Sequence, residues 1–281
     1  MQAEIHSPIF HGGTRPKQRR GTVHPGKLVR GLKRAVLTAG VQLYENTPLQ
    51  AARNTAGGIS VDTPGAPINA RKVLLATNAW AAGHPHISRR VAAIRDRIIV
   101  AEPLGKQQMQ KSGWQNHQGI YDTRTRLNYM RLTADNRILF GERLDYFYGN
   151  DTDPTLDNTA QPYIRLVQSF YRTFPQLADE IRCTCAWGGP IGLTTRMAVH
   201  YQKCFDGNMV FAGGYSGFGV TASRFAARVG LAILGQRDIA ETRMQFAQTL
   251  PNYIPPGPGS PCMPSIPSMK KAVGVSCGSR W

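Results

Sequence analysis

Acidic residues, cysteines and long apolar runs are scarce in this 281-residue chain, and each scarcity closes off a class of protein. No stretch of about 18 consecutive apolar residues occurs, so a membrane span is not expected. The start, Met1-Gln2-Ala3-Glu4-Ile5-His6, has neither the basic nor the apolar region of a signal peptide. A soluble, cytoplasmic protein is the expectation. The five cysteines (183, 185, 204, 262 and 277) are odd in number and irregular in spacing, which argues against a disulfide framework and for reduced thiols. Cys183-x-Cys185 lacks the spacing of a structural zinc site and no matching His pair accompanies it, so no metal is expected. Asp and Glu total 17 against 34 Lys and Arg, a formal charge of +17. The excess is scattered, whereas a nucleic-acid module concentrates it on one face, so no nucleic-acid partner is expected. The balance does suit acidic ligands or phosphate-bearing cofactors. Finally, no G-x-G-x-x-G dinucleotide fingerprint is present, and no internal repeat.

What the chain does have is a glycine-rich turn near its end. Phe211-Ala212-Gly213-Gly214-Tyr215-Ser216-Gly217-Phe218-Gly219-Val220 runs into a helical pattern over 221–234. The order is buried strand, glycine turn, helix. Glycines permit positive φ and close backbone approach, and a helix start offers unpaired N–H donors with partial positive charge. Such a device suits an electron-rich ligand.

Elsewhere, 24–40 reads as a helix, with Pro25 early, Leu28, Leu32, Ala35, Val36 and Ala39 on one face, and Gly40 at the end. A short strand is expected at Val41–Tyr44, then 58–63 and 68–71 as a hairpin around Pro64-Gly65. Val73-Leu74-Leu75-Ala76-Thr77 is an apolar run of the kind buried in a parallel sheet, and it stops at Asn78-Ala79-Trp80. The middle differs: strands over 93–101, 127–133 and 137–141, then a helix over 160–174 ending before Pro175. The apolar strand 209–212 closes the series. The first and last portions therefore form one domain with the middle inserted. Residues 251–268 hold seven prolines and carry no packing periodicity.

In order and in residues the chain resembles the C-terminal two-thirds of FAD-dependent oxidoreductases of the D-amino-acid oxidase superfamily. The likeness is greatest to the γ-glutamylputrescine oxidase branch. It rests on Gly21-Thr22-Val23-His24-Pro25-Gly26 through Leu32, Gly40-Val41 through Leu49, and Leu75 through Trp80. Tyr121-Asp122-Thr123, Ile138 through Gly141, Trp187-Gly188-Gly189-Pro190-Ile191, Thr195-Arg196 and Gly213 through Gly219 complete it. The resemblance implies an α/β (α+β) fold: a partial FAD-binding Rossmann-like domain (1–91 and 205–250) with an inserted antiparallel-sheet substrate domain (92–204). A disordered tail, 251–281, follows. The implied cofactor is FAD, bound noncovalently. The implied reaction oxidises the CH–NH bond of an amine or amino acid by hydride transfer to flavin N5, with dioxygen as acceptor.

The resemblance also assigns residues. Thr47 and Leu49 would lie at the adenine side, with Leu49 equally suited to the core. Thr77, Asn78, Ala79 and Trp80 would close on the ribose and diphosphate, unless they merely end a strand. Gly189 and Gly214, Tyr215, Ser216, Gly217, Phe218, Gly219 and Val220 would meet the flavin ring. Tyr215 and Arg196 are the expected catalytic residues, and Arg196 could clamp a substrate carboxylate in a bidentate geometry. Tyr129 and Arg131, on one face of a strand by alternation, are expected to bind substrate. Plain structural roles stay open for all four. The missing fingerprint, which in the family anchors the diphosphate, raises the alternative of a truncated remnant unable to hold FAD alone.

Overall fold

A computed structural model describes residues 4–14, 21–87, 89–124 and 127–254. The expected disordered tail lies, from residue 255, outside the described residues. The chain opens with α1 (Pro25–Thr38), whose cap is His24: its Nδ1 accepts the Lys27 N–H at 3.3 Å. An antiparallel sheet follows, β1 (Ala51–Thr55), β2 (Gly58–Asp62) and β3 (Ile68–Ala70), in the order β1-β2-β3. Gly58 starts β2 at φ +138°, and a Cβ there would lie 2.3 Å from the Ala70 carbonyl, so only glycine fits. Next come β4 (Val73–Leu75), the long β5 (Ala92–Ala101), and α2 (Lys106–Ser112). The middle continues with β6 (Ile120–Tyr121), β7 (Asn128–Leu132), β8 (Ile138–Phe147), α3 (Ala160–Thr173) and β9 (Cys183–Leu193). The last elements are β10 (His200–Cys204), β11 (Met209–Gly213), α4 (Gly219–Leu234) and a short α5 (Gln245–Gln248).

The fold is α/β with two distinct sheets beyond the first, as the resemblance implies. β6-β7-β8-β5-β9 form an antiparallel sheet of five strands. α3 covers one face of it, placing Leu166, Phe170 and Phe174 against Ile99, Met130, Ile138 and Phe140 in a fully buried cluster. Phe140 and Phe170 meet edge to face at 5.7 Å, a favoured aromatic geometry. Ile5 is buried in the same cluster, so the start of the described chain packs on the middle block.

β10-β11-β4 form the other sheet. β11 lies parallel to β4, with Met209, Val210 and Phe211 opposite Val73, Leu74 and Leu75, and α4 lies over the pair. At Gly230 of α4 a Cβ would approach Leu74 Cδ1 to 3.0 Å and Ala212 Cβ to 3.2 Å, so glycine lets helix and sheet close up. The Lys72 ammonium donates to the Leu234 carbonyl at the helix end, where a cation is favoured. The return to this sheet begins with β10 at His200.

Two local expectations differ. Val41–Tyr44 is no strand: no strand among the described residues pairs with it, and Val41, Leu43 and Tyr44 are exposed. α1 forms as expected, yet none of its residues is buried. β1 was not anticipated, because Ala51-Ala52-Arg53-Asn54-Thr55 holds poor strand formers. It pairs with β2 as an exposed edge.

Candidate functional site

Parallel pairing brings the C-terminal ends of β4 and β11 side by side, the place where open α/β sheets bind ligands. Each strand empties into a tight turn. After β4 comes a single 3₁₀ segment, Asn78–Gly83, and after β11 the glycine turn enters α4. Asn78 ties the two together. Its Oδ1 accepts the N–H of Gly214 at 3.0 Å and of Tyr215 at 3.3 Å. To do so Asn78 holds φ at +46°, a left-handed conformation that Asn tolerates better than most residues.

The glycine turn is equally fastened to the end of β9. Ser216 is buried at φ +51°, its N–H donates to the Gly192 carbonyl at 2.8 Å, and its Oγ accepts the Thr194 N–H at 3.2 Å. Gly214 holds φ +72°, and a Cβ there would lie 2.5 Å from Thr194 Cγ2. At Gly192 a Cβ would lie 2.7 Å from Asn78 Oδ1. Three segments distant in sequence thus meet at backbone contact distance, with no room for side chains between them.

Past this knot the turn opens outward. Gly217, at φ +92°, has nothing within 4 Å of where a Cβ would stand. The first backbone bond into α4 runs from the Ala222 N–H to the Phe218 carbonyl, so the N–H groups of Gly219, Val220 and Thr221 precede the helical ladder. None of them has an acceptor among the described residues. Phe218, 59% exposed, and Val220, 53% exposed, offer large apolar surfaces beside these donors, and Trp80, also 59% exposed, stands in the segment after β4. Aligned N–H groups with apolar flanks fit the electron-rich pyrimidine edge of a flavin between its hydrophobic faces.

The face of the five-stranded sheet not covered by α3 carries a second constellation. The registers place Tyr129, Gly141, Ile98 and Trp187 in one row across β7, β8, β5 and β9, with Asp96 opposite Gly189 two residues along. The Tyr129 hydroxyl donates to Asp96 Oδ2 at 2.7 Å, so the ring crosses β8 above Gly141. A Cβ on Gly141 would stand 2.1 Å from Tyr129 Cζ. Burial, and next the Asp96 charge, push the Tyr129 phenol well above its ordinary pKa, and it stays a hydrogen-bond donor. Arg131 shares this face and donates to the Val23 carbonyl at 3.0 Å, while partial burial lowers its pKa. Gly189 leaves open space where a Cβ would be. From Gly189 to Gly192, where the glycine turn is fastened, is about 10 Å along β9 at the rise of an antiparallel strand.

The remaining expected residues stand apart from these two surfaces. Ala79 is fully buried with Ala82 and Ala93, while Thr77 is exposed and its carbonyl accepts the Trp80 N–H at 3.1 Å. Leu49 packs on the cluster of Ile59, Val61 and Leu75, and the exposed Thr47 hydroxyl donates to the nearby Glu45 carbonyl at 2.9 Å. The Tyr215 side chain turns away from the open sheet face, into an apolar cavity of about 210 Å³ shared with Met197, Phe218, Phe225 and Phe246. Arg196 spends Nη1 on the Thr249 carbonyl and hydroxyl, at 3.0 and 3.1 Å. Its Nη2 goes to the Val199 and Phe246 carbonyls, at 3.0 and 2.7 Å. Arg196 and Tyr215 are therefore neighbours, joined through the 246–249 segment and not through the open face.

Sequence reading missed Asp96 and the polar knot behind it. Arg95 and Arg97 are fully buried and share Asp157, at 2.6 and 2.9 Å, an arrangement stable only with such pairing. Gly188 makes space for it, since a Cβ there would lie 2.7 Å from Arg97 Nη1 and 2.8 Å from Asp157 Oδ1. The signal was present: Arg95-Asp96-Arg97 puts three charges in the middle of an apolar strand.

A family model described as FAD dependent oxidoreductase matches residues 2–230. The probable oxidoreductase OrdL of Haemophilus influenzae is 31% identical over 241 residues, covering 84% of this chain and 52% of that protein. The gamma-glutamylputrescine oxidoreductase of Escherichia coli is 30% identical over 239 residues, covering 84% and 53%. The chain thus spans about half the length of the curated relatives it matches. Among solved structures, glycine oxidase from Geobacillus kaustophilus matches with TM-score 0.62 at 18% identity, over 76% of this chain and 54% of that one. Iminodiacetate oxidase from Chelativorans matches with TM-score 0.61 at 17% identity, over 80% and 57%. At these identities the two structures show a shared fold.

Proposed function

The chain belongs to the FAD-dependent oxidoreductase family, and we propose that it forms the flavin-ring and substrate part of an enzyme oxidising a CH–NH bond. The observation that carries this reading is the fastening of the glycine turn to both Asn78 and β9. It fixes the start of α4, where the N–H groups of Gly219, Val220 and Thr221 have no acceptor among the described residues, and sets the Tyr129–Asp96 face about 10 Å along the same strand.

In this reading Gly214 to Val220 hold the pyrimidine edge of FAD, where a helix start favours negative charge. Thr77, Asn78 and Trp80 flank its ribose side, and Thr47 and Leu49 its adenine side. Tyr129, Arg131 and Asp96 form the polar wall that orients the amine, with Gly189 leaving it room. Arg196 and Tyr215 position the turn by gripping the 246–249 segment. Bound flavin would supply the oxidation as a hydride acceptor for the carbon beside nitrogen, with the imine and, after reoxidation by dioxygen, hydrogen peroxide as products. The likeness to a gamma-glutamylputrescine oxidoreductase supports a γ-glutamylputrescine-like amine as substrate.

A second reading is a chain that folds without holding FAD. It draws on α1, which buries none of its residues, and on the absence of a G-x-G-x-x-G segment from the sequence. One measurement separates the two: the visible spectrum after incubation with FAD and gel filtration. Retained flavin that bleaches anaerobically with γ-glutamylputrescine supports the enzyme, and folded, colourless protein refutes it.

A further inference from the structure

The covered side of the five-stranded sheet holds a cavity of about 220 Å³ between β7, α3 and the start of the chain, far from the glycine turn in sequence. Its lining is Ile9, Arg124, Asn128, Ser169, Arg172 and Thr173. Alternation along β7 sets Asn128 on the side facing α3, opposite to Tyr129, as its neighbours two and four residues on confirm: Met130 and Leu132 lie in the α3 core. Asn128 is fully buried, yet among the described residues neither its Nδ2 nor its Oδ1 has a partner. A buried primary amide with both ends unmet is rare in native proteins and calls for something polar beside it. One water has a liquid volume of about 30 Å³, so the cavity is larger than a single water needs.

Arg124 is held in place independently of any ligand. Asp122 accepts the backbone N–H groups of Asn128 at 3.1 Å and Arg124 at 3.2 Å, and pairs with the Arg124 guanidinium at 2.5 Å. Arg172, in the last turn of α3, has no ion pair among the described residues. The Ser7 hydroxyl donates to the Thr173 carbonyl at 2.6 Å and brings Ile9 to the rim. Two guanidiniums against one carboxylate leave one positive charge. Asn128 requires both an acceptor for Nδ2 and a donor for Oδ1.

We propose that this cavity binds a small hydroxycarboxylate monoanion. Its carboxylate meets Arg124, Arg172 and the Asn128 Nδ2, and its hydroxyl donates to Asn128 Oδ1. Because Asn128 and Tyr129 are adjacent on β7 and face opposite sides, occupancy steadies the strand that carries the Tyr129–Asp96 bond. The site stands whether or not the chain holds FAD.

The test is calorimetric titration of the full chain with glycolate, with acetate as the probe lacking the hydroxyl and inorganic phosphate as the probe lacking the carboxylate. Glycolate should bind at least tenfold more tightly than either. Arg172→Gln, an exposed change that leaves the core intact, should weaken glycolate at least tenfold, and Asn128→Leu should abolish the preference over acetate. The proposal is overturned if glycolate does not bind, if acetate or phosphate equals it, or if Arg172→Gln binds as tightly as the unaltered chain. Should Asn128→Leu fail to fold, the probe series and the Arg172 variant decide alone.

Discussion

Replacing Asn78 separates two contributions that the structure places on one residue. Its Oδ1 satisfies two backbone N–H groups of the glycine turn, and its backbone sits at φ +46°. Removing the acceptor strands both donors at about 1 kcal/mol each, the low end for a half-buried site where water reaches part of the gap. Forcing a residue with a Cβ and no local hydrogen bond into the left-handed region adds about 1–2 kcal/mol. Asn78→Ala should therefore destabilise the fold by about 3–4 kcal/mol. Asn78→Gly removes only the acceptor and should cost about 2 kcal/mol. Asn78→Asp retains an acceptor and should fall within about 1 kcal/mol of the unaltered chain.

Urea unfolding, followed by far-ultraviolet circular dichroism at constant m, gives these differences directly. The ordering Asp, Gly, Ala is the essential outcome. If Ala and Gly cost the same, the backbone conformation contributes nothing and the strain argument fails. If both lie within about 0.5 kcal/mol of the unaltered chain, the size of an ordinary surface change, Asn78 does not couple the two turns. Asn78→Gly, still folded in the absence of urea, also supplies a functional reading. Its glycine turn is no longer tied to the end of β4, so FAD retention should fall even where the protein stays native.

Gly141→Ala should evict the Tyr129 ring, since the new methyl would stand 2.1 Å from Cζ, and break the hydrogen bond to Asp96. Steady-state kinetics with saturating FAD should then show amine turnover reduced at least tenfold with flavin affinity unchanged; a loss of flavin affinity instead would place Tyr129 at the cofactor. Acid should destabilise the chain through His200, fully buried in β10, whose pKa is depressed to about 4 chiefly by burial. The unfolded histidine, near 6.5, binds the proton that the folded one refuses, so stability is constant above 6.5 and falls as pH drops from 6.5 to 4. Below 4 it levels off, with a total loss of about 3 kcal/mol from this residue. Urea midpoints across that window should flatten by this amount in His200→Asn; an unchanged slope would show that the titration belongs to other groups.

The parts of the fold legible in the sequence are those that short-range patterning dictates. α1, α3, α4, β4 and β11 follow from periodicity and end signals within a dozen residues of themselves. Val41–Tyr44 misled because an apolar alternation becomes a strand only beside a partner strand, which no local pattern reveals. The face shared by Tyr129 and Arg131 was readable from alternation, but the presence of Asp96 on it was not. That depends on the β7-β8-β5 registers and on Gly141 leaving a gap for the ring. Arg196 shows the same limit from the other side. The destinations of its guanidinium lie about 50 residues onward, at Phe246 and Thr249, and an arginine that grips carbonyls there reads in sequence like one that grips a ligand.

Why these two surfaces should act together follows from β9. The middle of this strand, Gly188-Gly189, lies over the Arg95–Asp157–Arg97 knot and opposite Asp96. Its C-terminal end, at Gly192 and the following Thr194, grips Ser216. A slip of one residue in the β5–β9 register would turn every side chain of β9 to the other face, bringing Ile191 or Leu193 to the place of Gly192 and, in one direction, Trp187 to that of Gly188. Both places are filled, by Arg97 and Asp157 at one and by Asn78 at the other, at distances no Cβ tolerates. The register is therefore fixed chiefly by Gly192 near the end of β9, with Gly188 at its middle blocking one direction, and with it the separation between the turn and the Tyr129–Asp96 face. Hydride transfer requires the donor carbon held against its acceptor, so an error of one strand residue, about 3.3 Å, would be enough to abolish it. The rigid element that meets this demand is the strand itself, which is why the side chains around it are spent on holding its place.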